Sequence, residues 1–238
     1  METITALAAA MQDASSIEAL LDLSASHCRG QGMQLMSYYH LPPCGAPDHV
    51  AAQTVRATGF PDTWDEEYHA RGYRYLDPVL AAARTAGRPF LWSEVGSIIR
   101  LTPEQRTYVE AARAAGLGEG LAIPVHGPCG RDGYVGVGPG SDDYAFGAVE
   151  TVSFHHAAQL FHLRYCQLVA EAAPTVRLSK REAEIVSWMA AGKSNQSIAD
   201  ILSIARGTVD TYVVRLFRKL EANDRVTASL RAASLGLI

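Results

Sequence analysis

The segment Leu178–Leu220, LSKREAEIVSWMAAGKSNQSIADILSIARGTVDTYVVRLFRKL, constrains this chain more than any other. Ser179 followed three residues later by Glu182 is a capping box that starts a helix. Gly192 ends that helix where a left-handed residue is cheap only for glycine. Ser194 caps a second helix whose Ile198, Ala199 and Leu202 face inward. In a third, Val209, Val213, Leu216, Phe217 and Leu220 recur at helical spacing and form a buried stripe. Its other side, Arg206, Gly207, Asp210, Thr211, Val214, Arg215 and Arg218, is left facing out. Three short helices with a free polar face on the last are what a helix-turn-helix DNA reader needs.

Charge distribution is consistent with that reading. The whole chain carries a net −4, which argues against nucleic acid. Residues 175–238, however, hold ten Lys and Arg against six Asp and Glu, leaving eleven against nineteen in residues 1–174. An acidic body with a basic tail is expected when only the tail meets phosphate; chance variation in a short segment would produce the same pattern. The four cysteines, 28, 44, 129 and 166, have no metal-ligand spacing and read as reduced thiols. The N-terminal METITALAAAMQDASS lacks a basic n-region, and no run approaches the roughly 20 apolar residues of a membrane span. A cytoplasmic protein without a membrane partner is expected.

Upstream, residues 1–30 read as two amphipathic helices broken at Ser15-Ser16. Met33–Leu41 and His49–Thr58 read as strands, helices follow at about 62–72 and 76–86, and Phe90-Leu91-Trp92 is extended. Thr102-Pro103-Glu104 opens a helix ending near Gly116. Leu121–His126 and Tyr134–Gly138 are strands, and a long helix runs from Ala145 to Ala170. This order predicts an α+β domain, an α/β/α sandwich with an antiparallel sheet, able to hold a small molecule between sheet and helices. An all-α helix-turn-helix domain follows it. The domains are expected at 1–170 and 178–238, joined by a linker, 171–177, in which Pro174 stops the long helix.

Trp64 and Tyr68 share a helix face, Asp77 precedes Pro78 as a helix cap, and Trp92 follows in the extended piece. These residues suit either a packed core with a cap or the lining of a pocket. Enzyme motifs are missing: there is no G-x-S-x-G, G-x-x-x-x-G-K-[ST] or H-E-x-x-H. His155 and His162 share a face of the long helix and read as solvated or dimer-packed side chains rather than metal ligands.

The run W-x3-Y-x8-D-P-x13-W (Trp64, Tyr68, Asp77, Pro78, Trp92), followed by Gly120 in GLGEGLAIPVHG, resembles the acyl-homoserine-lactone-binding domain of LuxR-type quorum-sensing regulators. The tail resembles that family's DNA-binding domain, so the likeness covers nearly the whole chain. The resemblance implies that Trp64 donates its indole N–H to a lactone carbonyl and that Asp77 accepts from the ligand amide. Tyr68 and Trp92 would wall the pocket, Tyr38 would join them, and Gly120 would provide clearance. Two departures bear on the acyl group. Phe60 stands where relatives commonly have a tyrosine, and Gly136 where they often have Ser or Thr. Losing both hydroxyls is expected to widen the acyl space, for a bulkier or less oxygenated group, aromatic or branched; glycines there also suit bulges.

In the reader, Ala205 replaces the usual N-cap serine and Asp210 stands where relatives are frequently basic. Asp210, Thr211 and Val214 are expected in the groove, Asp210 accepting from cytosine N4. Lys180, Lys193, Arg206, Arg215, Arg218 and Lys219 are expected at phosphates or as flanking charges, with Ser194 and Thr208 also among the DNA-binding residues, although any single Arg there also suits a solvated surface. In the final helix, Arg225–Leu235, Val226, Leu230 and Ala233 repeat on one face. With the long helix it is a candidate dimer surface, unless both pack within one chain. A ligand-responsive regulator binding an inverted-repeat promoter as a homodimer, without a cofactor, follows. Alternatives are the same regulator with a different small molecule, or an interaction module whose pocket is filled core.

Overall fold

A computed structural model of the chain describes residues 4–41, 43–46, 55–141, 144–172 and 176–238. Two compact units emerge, one holding nearly all of the chain as far as Leu168 and the other mainly Val169–Ile238.

In the first unit, α1 (Ile4–Asp13) and α2 (Ile17–Gly30) are separated at Ser16, whose hydroxyl caps α2 by accepting from Ala19 N at 3.1 Å. Strands β1 (Leu35–Leu41) and β2 (Val55–Thr58) follow, so the described part of the expected second strand is its C-terminal end; residues 47–54 lie outside the described set. Helices α3 (Asp62–Ala70) and α4 (Pro78–Ala86) precede β3 (Phe90–Leu91) and the short α5 (Val95–Ile98). Then come α6 (Pro103–Ala114), β4 (Leu121–His126), β5 (Asp132–Gly138) and the long α7 (Ala148–Ala172). That last helix runs into the first two residues of the expected linker; Pro174 lies outside the described residues.

Among the described residues the strands form one antiparallel sheet in the order β2-β1-β5-β4-β3. Ser37 pairs with Gly136 and Gly136 with Ala122, while Tyr39 pairs with Tyr134 and Tyr134 with Pro124. Residues in register share a face and their chain neighbours take the other. One face therefore carries Ser37, Tyr39, Tyr134 and Ala122, over which α3, α4 and α6 lie. The opposite face, with Met36, Tyr38, Val135, Val137 and Ile123, packs on α7, where Phe161 and Tyr165 are almost fully buried. Each such side chain contributes about 1.5–3 kcal/mol by burial. The expected sandwich, helices on both sides of an antiparallel sheet, is the fold observed.

The second unit contains α8 (Lys180–Ala190), α9 (Asn195–Leu202), α10 (Arg206–Lys219) and α11 (Arg225–Ser234). Ile185, Val186, Ile198, Val209, Leu216 and Ala228 form its core. The capping box forms as expected: Ser179 Oγ accepts from Glu182 N at 3.3 Å, and Glu182 Oε2 accepts from Ser179 N at 2.7 Å. Gly192 has φ +76°. Ser194 caps α9, accepting from Ser197 N at 3.1 Å, whereas Ala205 offers α10 no side-chain cap. In α11 the buried residues are Ala228, Ala232 and Ser234, and Val226 and Leu230 are exposed.

Candidate functional site: a cavity under the sheet and a polar helix face

Between the sheet and α3, α4 and α6 lies a cavity of about 640 Å³, within the range of small-molecule sites. Phe60, Trp64, Tyr68, Asp77 and Trp92, separated by up to 32 positions in the chain, all line it. Trp64 is 3% exposed and sits among the rings of Tyr68, Tyr73 and Tyr108, with centroids 5.6–6.1 Å away. Trp92 is held from behind. Its N–H donates to Gly120 O at 2.8 Å, and Glu119 Oε1 accepts from Ser93 N and Gly120 N at 3.1 and 3.0 Å. A Cβ on Gly120 would stand 2.5 Å from three indole atoms, so this glycine clears space for Trp92 itself. The indole Nε1 is buried without a hydrogen bond of regular geometry, although Tyr134 lies close enough to interact with it.

Asp77 is both cap and site residue. Its Oδ1 accepts from Val79 N at 2.9 Å, which starts α4 with Pro78 in the first turn. Burial pushes the carboxyl up to about 6, against hydrogen bonds from Val79, Tyr108, Leu80 and Tyr68. Desolvation wins because four partial donors do not replace bulk water around an ion. Tyr39, Tyr68, Tyr108 and Tyr134 are pushed above the usual phenol range, first by burial and then by the negative charge of Asp77. All four therefore remain hydrogen-bond donors. The Tyr39 and Tyr68 hydroxyls bond each other directly. Arg56, Asp65, His69 and Arg113 complete the lining with exposed charged or polar groups.

Three expectations need correction here. Tyr38 does not line the cavity; it lies on the opposite sheet face, donor or acceptor to His162 Nδ1 at 2.9 Å, with Phe161 and Tyr165 packed edge-on at 4.7 and 4.8 Å. Its neighbour Tyr39 takes the cavity place, because a one-residue step reverses a strand side chain. His162 is fully buried in that same layer, with Cys166 Sγ 3.5 Å from its Nε2, so it is no surface partner of His155. Gly136 does not widen the space. A Cβ there would meet the Tyr134 hydroxyl and, at 2.6 Å, Ser37 Oγ, so two hydroxyls supplied from neighbouring positions occupy the gap. Ser37, Tyr39, Tyr108 and Tyr134 are lining residues that sequence reading passed over. The signal for three of them was strand register: Ser37 and Tyr39 lie one step from Tyr38, and Tyr134 pairs with Tyr39.

In the second unit Arg206, Thr208, Asp210, Thr211, Val214, Arg215 and Arg218 are all exposed along α10, and Lys180, Lys193 and Ser194 are exposed on the helices and turn before it. Five of these are engaged locally, Arg206 lying 4.0 Å from Asp210 and Arg215 5.6 Å over the Tyr212 ring. Ser194 is the α9 cap, Thr211 Oγ1 donates to Gly207 O at 2.9 Å, and Asp210 Oδ1 accepts from Asn195 Nδ2 at 2.7 Å. Asp210, expected to accept from cytosine, thus already accepts from Asn195 through one of its oxygens. Lys219 also departs from expectation: its Nζ donates to Glu182 Oε2 at 2.7 Å and to Arg177 O at 3.1 Å. Burial alone would push Glu182 up, but Lys219 and Ser179 outweigh it and hold the carboxyl below its ordinary value. Lys219 therefore ties the end of α10 to the start of α8 rather than reaching for phosphate.

Comparison with known proteins places both halves. Residues 16–165 match the family described as "Autoinducer binding domain", and residues 176–232 match "Bacterial regulatory proteins, luxR family". The quorum sensing-dependent transcriptional regulator RpaR of Rhodopseudomonas palustris is 32% identical over 198 residues, spanning 82% of this chain and 80% of that one. The regulatory protein SdiA of Escherichia coli is 27% identical over 194 residues, 76% of this chain and 75% of its own. Crystal structures of SdiA share the fold: one covers 96% of this chain and 94% of its own at TM-score 0.71 and 23% identity. A second, in complex with octanoyl-rac-glycerol, covers 97% and 93% at TM-score 0.74 and 22% identity. With both domains matched in order, an aromatic cavity in one and a helix-turn-helix in the other, the chain belongs to the LuxR family of autoinducer-binding, DNA-binding transcriptional regulators, which are not enzymes.

Proposed function

We propose that this protein is a cytoplasmic regulator that binds an N-acyl homoserine lactone in the first unit and, as a homodimer, an inverted-repeat promoter site through the second. The observation that carries the ligand reading is the convergence of Trp64, Tyr68, Asp77 and Trp92 on one cavity. Asp77 is a buried carboxylate whose existing donors leave it raised to about 6, so a ligand amide N–H would relieve a real deficit with a charge-assisted bond. Trp64 would donate to the lactone carbonyl, and Tyr68 and Trp92 would pack on ring and chain. No cofactor is required. An inverted repeat follows from the small reach of one reader and the symmetry of a dimer. No described helix is long and apolar enough to cross a membrane, which agrees with a cytoplasmic location.

A second reading keeps the DNA-binding unit and changes the ligand to an aryl- or branched-acyl lactone or a non-lactone signal. Phe60 gives the acyl end no hydroxyl, and a solved structure of similar fold is in complex with octanoyl-rac-glycerol. One experiment separates the two. Cells expressing the full chain are supplied with straight, branched and aromatic acyl-homoserine lactones and with an acylglycerol, and mass spectrometry identifies what co-purifies. A straight-chain acyl lactone retained by the wild type and lost in Asp77→Asn supports the first reading. Retention of only a branched or aromatic lactone, or of only the acylglycerol, supports the second, and retention of nothing by a folded protein overturns both.

A further inference from the structure

The outer face of α10 carries an arrangement that its sequence neighbours do not explain. Asp210 is one turn after Arg206, and its two oxygens are divided: Oδ1 accepts from Asn195 at 2.7 Å and Oδ2 lies 4.0 Å from Arg206 Nε. The Asn195 amide is itself oriented, because its Oδ1 accepts from Arg225 Nη1 at 2.9 Å. Reversing that amide would put Nδ2 against a guanidinium and Oδ1 against a carboxylate, two like-facing pairs. Arg225 also donates through Nη2 to Lys193 O, so it is gripped at two points. The result is a relay from the start of α11, through the start of α9, to the first turn of the recognition helix.

We propose that Arg206, aimed by the Arg225–Asn195–Asp210 relay, is the residue with which this protein reads a base, and that the base is guanine. Asp210 Oδ2 approaches Arg206 at Nε, at ion-pair distance, and no hydrogen bond or ion pair engages either Nη among the described residues, so both remain available. That paired edge matches guanine O6 and N7. Arg206 is the first residue of α10 and its side chain is 66% exposed, the end from which a recognition helix enters the major groove. Charge separates this role from phosphate binding. A phosphate contact gains its strength from unneutralised positive charge and released counterions; Arg206 beside Asp210 is close to neutral as a pair. A base edge needs placed donors, not net charge, and holding the long side chain in advance lowers the ordering cost of using them. Asp210 and Asn195 are positioning residues in this account.

The inference rests on the DNA-binding reading, and its test distinguishes the two. The full chain, with and without the lactone panel, selects from a random double-stranded DNA library, and wild type is compared with Arg206→Ala, Arg206→Lys, Asp210→Ala and Asn195→Ala. The expected wild-type profile has a guanine at a fixed position. Arg206→Ala loses that preference by about 5- to 150-fold with little change at other positions, and Arg206→Lys, which keeps the charge but not the fork, does not restore it. Asp210→Ala and Asn195→Ala weaken the same preference while urea midpoints show the fold intact. The proposal is overturned if Arg206→Ala weakens all sequences equally and lowers the salt slope by about one, or if Asn195→Ala leaves the profile unchanged. A wild type that selects no sequence under either condition overturns the DNA-binding reading and this inference with it.

Discussion

Asp77 shows at the scale of one residue how a site can oppose the fold that holds it. As the α4 cap it is favourable, since Val79 N would otherwise lose a partner. As a buried ion it is unfavourable, and its carboxyl titrates near 6 where an unfolded aspartate titrates near 4. Between those values the folded chain retains a proton that the unfolded chain has released. Stability therefore falls as pH rises from about 4 to about 6, and the penalty is complete above that window. The difference corresponds to about 3 kcal/mol, less whatever water in the cavity returns by solvating the ion. Asp77→Asn keeps an oxygen for the cap and removes the charge. In ligand-free protein its urea midpoint should exceed that of wild type at about pH 7.5 and converge with it only as the pH falls to about 3, where Asp77 is protonated in both states. A variant no more stable than wild type at the higher pH would show that the tyrosine hydroxyls already compensate the carboxylate.

The elements differ in how firmly their ends are made. Helix α8 has a complete capping box and Lys219 behind it, and α11 has Asp224 Oδ1 accepting from Val226 N and Thr227 N at 2.8 and 2.9 Å. The recognition helix α10 has neither: Ala205 stands at its cap and Gly207 in its first turn. A Cβ on Gly207 would meet nothing within 4 Å, and its φ is not positive. Ala205→Ser should raise stability of the second unit by about 1 kcal/mol, and Gly207→Ala by about 0.5–1 kcal/mol through the unfolded state. Both are read as urea midpoints, and a fall in either would mean that the first turn is held by something other than local helix physics. Cap positions such as Ser179, Ser194 and Thr102 could be read from sequence because a cap is a contact three residues long. Sheet faces could not. Every residue of β1 is buried, so no polar alternation marks which side faces the cavity, and Tyr38 and Tyr39 are indistinguishable until pairing with β5 is known. His162 was misplaced for a related reason: α7 packs its polar ring into the sheet, against Tyr38, over a glycine, Gly133, where a Cβ would come within 2.9 Å. Likewise, Asp210 read as free because its partner Asn195 sits 15 positions away on another helix.

For the molecule as a whole, the two units have separate hydrophobic cores. Trp64 packs with Tyr73, Tyr108 and Leu117 in one, and Trp188 packs against the cluster that contains Ile185, Ile198 and Leu216 in the other. The cavity, with its raised carboxyl, belongs to the first alone, so ligand should act on that unit's stability. A ligand that binds only the folded state adds RT ln(1 + [L]/Kd), about 2.7 kcal/mol at a hundredfold excess over Kd. The chain has three tryptophans, Trp64 and Trp92 on the cavity and Trp188 in the reader, which makes the assignment direct. In Trp188→Phe, emission reports the first unit only. Calorimetry of that variant should show two transitions. The one that coincides with the loss of Trp64 and Trp92 emission should be the lower without ligand, and should rise when the co-purifying lactone is added. The other should stay where it is. If both rise together by the same amount, the units unfold as one body and the reader is stabilised directly by the ligand; if neither moves, the cavity is not where the ligand binds.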